Sequence, residues 1–421
     1  MLKMEHRNAF WFLLFLFLTT LPFQGKALSN ENVSPVVEKH QRKTLIETEY
    51  GSVSAVEIQD GFRPPYHLQF FTLDPNSLFL PVLLHADMVF YVHTGNGKLF
   101  WAEEDDGISS INIRPGDITR LKTGSVFYLQ SNLDTARQKL RIFAMFPSTD
   151  HNNYDPSIGA YSRINELFRG FDKRIMQAAL QAPEELVEAI TNKTETPAIV
   201  HAVSKEQTKF WELEVWFLNS ILGREIGNAI SSNGKKLKSY NIFDNDPDFQ
   251  NCYGWSLTVT HKQLKSLKPT NIGLLMVNLT AGSMMGPHWN PGATEIIMVL
   301  QGEGMVRVVC GSSYTDKSKC QNMRFKVKEG DIFLVPRFHP MAQMSFNNDS
   351  LVFMGFSTTV KKTYPQFLAG KKSVFQTIDK HIMATSLNVT KTTIEQLLDS
   401  QGLRFAEFVD NGINKFSSSL Q

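Results

Sequence analysis

The sequence lacks long runs of charge of either sign. Its 43 basic and 41 acidic residues leave a formal net charge of +2, and the one basic cluster, at 235–238, is short enough to be a solvated loop. This balance argues neither for nor against a charged partner in general. Because no long basic block is present, we expect no nucleic acid partner.

Two signatures of catalysis are also absent. The sequence has no Gly-rich phosphate loop, since Gly95-Asn96-Gly97 is better explained as a hairpin turn. It has no nucleophile elbow of the hydrolase type. Neither absence excludes chemistry based on a metal ion.

Only one hydrophobic run invites a membrane interpretation. The run Ala9–Phe23 follows Lys3, His6 and Arg7 and precedes the small-residue segment Gly25-Lys26-Ala27. It is short for a bilayer span, which needs about 20 apolar residues. We therefore predict a secretory signal peptide at 1–27 and no membrane contact after its removal, with a retained anchor as the alternative.

Acceptor triplets for N-glycosylation agree with a secretory route. They begin at Asn192, Asn278, Asn348 and Asn388. Asn192 and Asn388 are the better candidates because both are predicted at turns, whereas Asn278 falls in a probable buried strand. Destinations compatible with this route are the storage vacuole and the extracellular space.

The chain has only three cysteines. Cys310 and Cys320 flank a polar stretch between two strand-like segments, so a disulfide across that hairpin is expected in an oxidising compartment. Cys252 would be left unpaired. Three cysteines also allow other pairings.

Four short segments of the first half recur in the same order in the second half, and we call each recurrence an echo. They indicate an internal duplication. Segments of the first half recur in the second, displaced by 203 to 214 residues: Tyr50-Gly51-Ser52 with Tyr253-Gly254-Trp255, Gly95-Asn96-Gly97 with Gly302-Glu303-Gly304, Gly116-Asp117-Ile118 with Gly330-Asp331-Ile332, and Asp172-Lys173-Arg174 with Asp379-Lys380-His381. The displacement grows across the hairpin that carries the cysteines. We predict two copies of one domain, at 45–190 and 251–410.

Each copy has the same local pattern. Short runs of Val, Ile, Leu and Phe are separated by Gly, Pro, Asn and Asp, which indicates a barrel or sandwich of antiparallel strands. Helical segments close each copy, at 162–180, from 182 onward, and at 392–398. Between the copies, 191–250 is predicted to be a mobile linker. Its aromatic stretch at 205–218 is either a helix docked on the barrels or a binding helix.

Two segments of the second copy carry the most specific motif. Gly286-Pro287-His288-Trp289-Asn290 leads to Glu295, and Gly330-Asp331-Ile332-Phe333 leads to His339-Pro340. This pair resembles the two signature motifs of the cupin barrel. A secretory pair of such barrels with helical extensions resembles the vicilin (7S) seed storage globulins over roughly 45–410. The resemblance implies a mainly β fold of two jelly-roll cupin barrels, a homotrimer assembled through the helices, and storage vacuoles.

The same resemblance implies a metal site in the second barrel. Cupin metal sites use His-x-His, a Glu about five residues later and a distant His, a set that suits Cu, Zn, Mn or Fe. Here the corresponding set is His288, Asn290, Glu295 and His339, so an amide replaces one imidazole. The distant His also lies three residues after Pro336 instead of five. The sequence leaves open whether one transition metal ion binds or these residues are inherited structure.

The first copy serves as an internal control. The repeat places Met88 at the position of Glu295 and Ser125 at that of His339, and His288 and Asn290 fall near Pro81, Val82 and Leu83. None of these binds such a metal strongly. His85 and His93 match no ligand position and are interpreted as structural or surface residues. The first barrel is therefore predicted to be inert.

Three functions are compatible with the sequence. The leading one is a non-enzymatic nutrient reservoir with a vestigial metal or small-ligand site in the second barrel. The second is a metal-dependent oxidoreductase or decarboxylase, with Glu295 as a proton carrier or ligand. The third is the binding of a small molecule or sugar in the second barrel. Against pure storage stands the retained His288, Glu295 and His339 set, and against the enzyme stands the incomplete ligand pattern.

Overall fold

The chain folds into two antiparallel β-barrels of the jelly-roll type, each followed by short helices, as the sequence predicts. The structure, a computed structural model, describes residues 36–59, 65–103, 107–133, 137–147, 154–191, 196–202, 239–310, 321–346, 348–370, 373–401 and 408–410. The predicted signal peptide at 1–27 and the aromatic stretch at 205–218 lie outside these residues.

The first half supplies thirteen strands. They are β1 (Val36–Val37), β2 (Lys43–Thr48), β3 (Gly51–Ile58), β4 (Tyr66–Leu73), β5 (Ser77–Leu84), β6 (Met88–Thr94), β7 (Gly97–Glu103), β8 (Gly107–Ile113), β9 (Asp117–Leu121), β10 (Val126–Ser131), β11 (Leu140–Phe146), β12 (Tyr161–Arg163) and β13 (Ile199–His201). Helices α1 (Ile164–Arg169), α2 (Lys173–Leu180) and α3 (Glu184–Thr191) follow β12.

The second half repeats this order. Its strands are β14 (Tyr240–Asn241), β15 (Phe249–Asn251), β16 (Gly254–Val259), β17 (Gly273–Leu279), β18 (Ser283–Trp289), β19 (Glu295–Gln301), β20 (Glu303–Val308), β21 (Met323–Lys328), β22 (Ile332–Val335), β23 (Met341–Ser345), β24 (Leu351–Ser357), β25 (Gln366–Phe367) and β26 (Phe408–Asp410). Helices α4 (Lys380–Leu387) and α5 (Lys391–Gln401) lie between β25 and β26.

The two barrels have the same sheet topology. Each has one sheet with the strand order β14-β9-β6-β11-β4-β3-β2 in the first barrel and β1-β22-β19-β24-β17-β16-β15 in the second. The facing sheets run β12-β5-β10-β7-β8 and β25-β18-β23-β20-β21, with β13 on β5 and β26 on β18. Every strand of one barrel thus has a counterpart in the other, which is the duplication that the sequence echoes indicate.

The barrels exchange their edge strands. The N-terminal strand β1 pairs with β22 of the second barrel, where Val37 faces Ile332. Strand β14, which precedes the second barrel, pairs with β9 of the first, where Tyr240 faces Ile118. Each barrel is therefore completed by a two-residue strand that comes from the arm leading into the other.

Each arm lies against a turn in which a glycine has a positive φ. Gly116 and Gly330 have φ of +90° and +91°, which favours glycine. Asp117 accepts the backbone N–H of Arg114, and Asp331 accepts that of Lys328 in the same way. The echo of Gly-Asp-Ile in the two copies thus reflects a turn whose chemistry is fixed locally.

Side chains that alternate between the two faces of a strand pack into separate hydrophobic cores. On β4, Leu68 and Phe70 pack in the core between the barrels, and Phe71 and Leu73 pack inside the first barrel. Because both faces of β4 are covered, seven of its eight residues are buried and their burial does not alternate. A third core fills the second barrel and includes Phe353.

The first helical segment is shorter than predicted, whereas α5 (Lys391–Gln401) extends beyond the predicted 392–398. The stripe over 162–180 is divided at Gly170, where α1 ends and its C-cap N–H reaches the carbonyls of Glu166 and Phe168. Asp172 then begins α2, as Asp379 begins α4 in the second copy. The division exposes part of the predicted apolar stripe.

The predicted linker at 191–250 contains ordered strands at both ends. Strand β13 pairs with β5, β14 pairs with β9, and β15 pairs with β16. The arm Val36–Arg42 likewise precedes the predicted start of the first domain at 45. Residues 192–195 and 203–238 of the predicted linker lie outside the described residues.

The predicted hairpin at Gly95–Gly97 is wrong. The strands on either side belong to different sheets, since β6 pairs with β9 and β11 whereas β7 pairs with β8 and β10. This Gly-rich segment is a corner that carries the chain across the barrel. The local sequence resembles a hairpin because both structures require a tight turn with positive φ, here +73° at Gly95.

Candidate functional site

A buried polar pair lies where β18 ends and β19 begins. Asn290 is one residue beyond β18, and Glu295 is the first residue of β19. The Asn290 side chain donates from Nδ2 to Glu295 Oε1 at 2.9 Å and accepts the Gly292 N–H at 3.1 Å. Burial raises the pKa of the Glu295 carboxyl, and the hydrogen bond from Asn290 partly opposes this rise.

His288 lies inside the same barrel as a neutral imidazole. Its Nδ1 is 2.8 Å from the carbonyl oxygen of Gly286, so Nδ1 donates and Nε2 keeps its lone pair. Burial lowers the pKa of His288 to about 4, against the effect of the Gly286 carbonyl. A neutral imidazole of this kind accepts a hydrogen bond or coordinates a metal ion.

Gln343 is a further buried polar side chain of this barrel, and the sequence motif did not indicate it. It lies on β23, which pairs with β18, and it is 1% exposed. Its Nε2 lies 3.1 Å from Met341 Sδ, and its Oε1 has no hydrogen-bond partner in the described part of the chain. A buried amide oxygen without a donor is costly, about 1–3 kcal/mol.

His339 occupies a turn outside the barrel interior. It is half-buried, and its Nδ1 lies 3.2 Å from the Arg337 carbonyl. The same turn meets the polar pair through its backbone, because the Phe338 N–H donates to the Asn290 carbonyl at 2.9 Å. Phe338 adopts a φ of +64°, in the left-handed region.

The predicted metal ligands are not gathered into one cluster of three. Within the described ranges, no three His, Cys, Asp or Glu side chains are grouped so as to hold a metal ion. The structure joins Asn290 to Glu295, but it does not unite His288, Glu295 and His339. The physical reason for His339 is its position in the turn after Pro336, before β23 begins. Uptake of a metal ion by this barrel stays a prediction.

The first barrel replaces the whole polar set with apolar side chains. Strand register and turn hydrogen bonds match Val82 to His288, Leu84 to Asn290, Met88 to Glu295 and Leu129 to Gln343. All four apolar residues are 1% exposed. The predicted correspondence of Met88 with Glu295 agrees with this register, since each residue opens its strand.

The first barrel nevertheless carries polar groups elsewhere, which sequence reasoning missed. A cavity of about 940 Å³ opens beside β2, β3 and β4, and buried His67 and Gln69 contribute to its lining. The Gln69 amide donates to His67 Nε2 at 2.9 Å, and the His67 ring stacks on Tyr154 with centroids 4.2 Å apart. Burial lowers the pKa of His67 to about 4. By contrast, His85 contacts Gly159 and Ser162, as expected for a structural histidine.

The cysteine prediction is tested only at two of its three positions. Cys310 is disulfide-bonded, and Cys252 is free and exposed. Cys320 lies outside the described residues, so the pairing of 310 with 320 stays a prediction. The segments flanking it do form the expected hairpin, because β20 pairs with β21.

The predicted glycosylation sites differ in accessibility. Asn348 and Asn388 are exposed, and Asn388 caps α4 in the left-handed conformation. Asn278 is half-buried inside β17, where Trp255 and Val352 face it from the neighbouring strands. Asn192 lies outside the described residues. Carbohydrate attachment at these asparagines stays a prediction.

In the described residues, none of the helices combines the length and the apolar character needed to cross a bilayer.

The sequence profile of the cupin family matches residues 240–395. Two vicilin-like seed storage proteins of Arabidopsis thaliana are each 46% identical to this chain, over 382 and 388 residues. Each alignment covers 87% of this chain, with 52% of the first relative and 73% of the second. The chain thus spans about half the length of the first.

A solved structure shows the same fold. The crystal structure of vicilin from Corylus avellana matches with a TM-score of 0.73 at 22% identity, covering 90% of this chain and 99% of that chain. The prediction of two jelly-roll cupin barrels and the resemblance stated from the sequence are both confirmed.

Proposed function

This chain belongs to the family of vicilin-like seed storage proteins, and we propose that it is a nutrient reservoir protein that works as a homotrimer without catalysing a reaction. In this proposal the signal peptide directs it into the secretory pathway, towards the storage vacuole or the extracellular space. The 46% identity over 87% of the chain is the observation that carries the reservoir role.

The helical extensions support the trimer. Each has a small core of its own, around Phe168 and Met176 in α1–α3 and around Met383 and Ile394 in α4–α5. Both also leave large apolar side chains exposed: Leu167, Phe171, Ile175, Leu186 and Ile190 in the first, and Ile378, Ile382, Leu387, Val389 and Leu397 in the second. Two different apolar faces on one chain suit head-to-tail contacts that close a ring.

Light scattering of the mature protein tests this assembly. We expect the mass of three chains for the wild type and of one chain for the double variant Phe171→Glu with Ile382→Glu. Leu133→Glu is the matched control, because Leu133 is exposed but belongs to neither helical extension. A wild type that runs as a monomer, or a control that dissociates equally, would contradict the proposal.

The reservoir role has its own test. Immunoblots of seeds should show that the protein accumulates during maturation and disappears during germination. A level that stays constant through seedling growth would argue for a different role.

A second candidate function is the binding of a small polar ligand in the second barrel. The orphan Gln343 amide oxygen, together with the buried Glu295 carboxyl, favours it because both groups are desolvated without full compensation. One transition metal ion, Cu, Zn, Mn or Fe, is the alternative occupant, and a metal-dependent oxidoreductase or decarboxylase would require it.

Elemental analysis of native protein beside His288→Ala distinguishes these occupants. One metal ion per chain, lost in the variant, would establish a metal site and justify assays for redox or decarboxylation chemistry. Absence of metal from both proteins would leave the small-ligand and reservoir roles. In that case Glu295 serves through its hydrogen bond with Asn290 and not as a proton carrier.

A further inference from the structure

A cavity of about 350 Å³ lies at the junction of the two barrels, away from the polar cluster of the second barrel. We call it the junction cavity. Its walls come from three parts of the chain: the N-terminal arm with Lys39 and Arg42, the first barrel with His93 and Arg141, and the second barrel with Glu329-Gly330. A ligand that fills this cavity therefore contacts both barrels and the N-terminal arm.

Arg42 places a cation in this cavity with one donor unused. Its guanidinium lies 3.7 Å from the centre of the Phe70 ring, and one Nη donates to the Gly330 carbonyl. Its Nε is buried and has no acceptor among the described residues. Burial lowers the pKa of Arg42 to about 10, and Asp331 opposes that effect, so the side chain is charged at neutral pH.

Two more cations surround the cavity without a close counter-ion. Exposed Lys39 lines its arm side, and half-buried Arg141 lines its first-barrel side. Throughout the described ranges, no carboxylate oxygen lies within 4.0 Å of a cationic nitrogen of Lys39, Arg42 or Arg141. The two carboxylates that line the cavity, Glu47 and Glu329, belong to exposed residues.

His93 lies in the wall of the same cavity and is influenced by two of its cations. Its ring stacks on Phe143 with centroids 5.0 Å apart and forms part of the cavity wall. Its pKa is lowered to about 4, first by burial and then by the charges of Arg141 and Lys39. The imidazole is therefore neutral at pH 7, and the three cations supply the field inside the cavity.

The duplication shows that the fold does not need these cations. In the second barrel, strand register matches Leu300 to His93 and Val352 to Arg141. The arm that begins with β14 has Ile242 at the position of Lys39 and Asn245 at that of Arg42. Leu300 and Ile242 belong to the apolar core between the barrels, and Val352 packs against it. Three of the four matching positions are thus apolar and the fourth is the neutral Asn245, so none of the three cations recurs at its matching position in the second copy.

We propose that the junction cavity binds a small oxyanion of the phosphate class, held by Arg42, Arg141 and Lys39. Thr44, Ser52 and Ser54 add hydroxyl groups to the wall and supply further donors. Guanidinium groups suit oxyanions because their N–H groups match the spacing of two oxygens. The bound anion fastens the N-terminal arm to both barrels, so it stabilises the exchanged edge strand β1.

Equilibrium dialysis of the full mature chain against radiolabelled inorganic phosphate tests the proposal. We expect saturable binding of one phosphate per chain, at least tenfold weaker in Arg141→Gln and in Arg42→Gln. Arg307→Gln is the matched control, since it removes the same charge from an exposed position on β20. Arg141→Lys keeps the charge and should bind with intermediate affinity, which guards against loss of folding in the glutamine variants.

Competition defines the ligand class and separates it from a general salt effect. Malonate should displace phosphate at millimolar concentration, whereas chloride at equal ionic strength should not. Thermal unfolding should show a phosphate-dependent rise in Tm that saturates in the wild type and is lost in Arg141→Gln. Non-saturable binding, equal displacement by chloride, or an equal rise in all variants would overturn the proposal, because phosphate stabilises many proteins non-specifically.

Discussion

The two barrels have the same strand order, and each is completed by one exchanged edge strand. Four interior positions nevertheless differ in polarity between them. The first barrel carries Val82, Leu84, Met88 and Leu129 where the second carries His288, Asn290, Glu295 and Gln343. Both sets are buried. Since hydrocarbon completes the same architecture in the first barrel, the polar set of the second is not a requirement of the fold.

A second difference runs in the opposite direction. The first barrel buries His67 and Gln69 on β4, and the matching residues of β17 are Gly273 and Leu275. Each barrel therefore buries polar groups at positions where the other does not. This pattern teaches that the copies have specialised at different places, and that neither is simply a degraded version of the other.

The largest effect is expected when an amide side chain is placed in the first barrel at Leu129, the position that matches Gln343. Leu129→Gln should lower the free energy of unfolding by about 4 kcal/mol, because a buried amide would lack partners and apolar packing would be lost. Urea unfolding measures this change, with Leu129→Met as the control that keeps the volume. A cost below about 1 kcal/mol would mean that the first barrel already accommodates polar groups at this position.

Acid stability should distinguish His288 from its apolar counterpart Val82. The folded pKa of His288, about 4, lies below the ordinary value of 6.5, so the unfolded chain binds the extra proton between these values. Stability is then lost as the pH falls from about 6.5 to about 4, by about 3 kcal/mol. Glu295, with its raised pKa, has the opposite sign, since its contribution is lost as the pH rises.

His288→Val should therefore have a flatter stability profile between pH 7 and pH 4 than the wild type. Glu295 is present in both proteins, so its contribution cancels in the difference. Urea unfolding at both pH values measures it. Identical profiles would show that the imidazole is already accessible to protons in the native protein.

The cysteine hairpin provides a third contrast. In the first barrel only three residues separate β7 from β8, whereas 14 residues, including disulfide-bonded Cys310, separate β20 from β21. Cys310→Ser and Cys320→Ser should each cost about 2 kcal/mol if these residues pair. Cys252→Ser should cost almost nothing. Thiol titration of the unfolded, non-reduced protein should find one reactive thiol, and three would contradict the pairing.

The smallest effect is expected from making the second barrel resemble the first. Gln343→Leu should raise the free energy of unfolding by about 1 kcal/mol, because it removes an amide oxygen without a partner. Thermal and urea unfolding of ligand-free protein measure the change. A loss of stability would mean that the amide is engaged by a bound molecule in the purified protein.

Much of the fold was predictable because its repeated signals are local. The turns at Gly116 and Gly330 need positive φ and an aspartate that accepts a backbone N–H, so selection on local geometry preserved recognisable echoes. The exchanged edge strands were not predictable. Strands β1 and β14 contain two residues each, which is too short for alternation to be detected, and their partners lie far away in sequence.

The candidate site was predictable only in part. His288, Asn290 and Glu295 follow one another closely, so their common burial could be expected from one motif. Gln343 could not, because a glutamine on a strand usually faces solvent and nothing in its neighbours indicates an inward direction. The predicted metal ligands are not brought together because His339 lies in a turn outside the barrel interior. Sequence spacing does not determine the position of a side chain within such a turn.

The exchanged edge strands have a consequence for how this chain responds to a proteolytic cut. A protease that cuts between the barrels, anywhere within 203–238, separates the chain into two fragments. The N-terminal fragment still pairs β1 with β22, and the C-terminal fragment still pairs β14 with β9. The nicked particle is therefore held together without a covalent link. Within the reservoir role that we propose, one such cut therefore leaves the two barrels associated through both arms and through the apolar core between them.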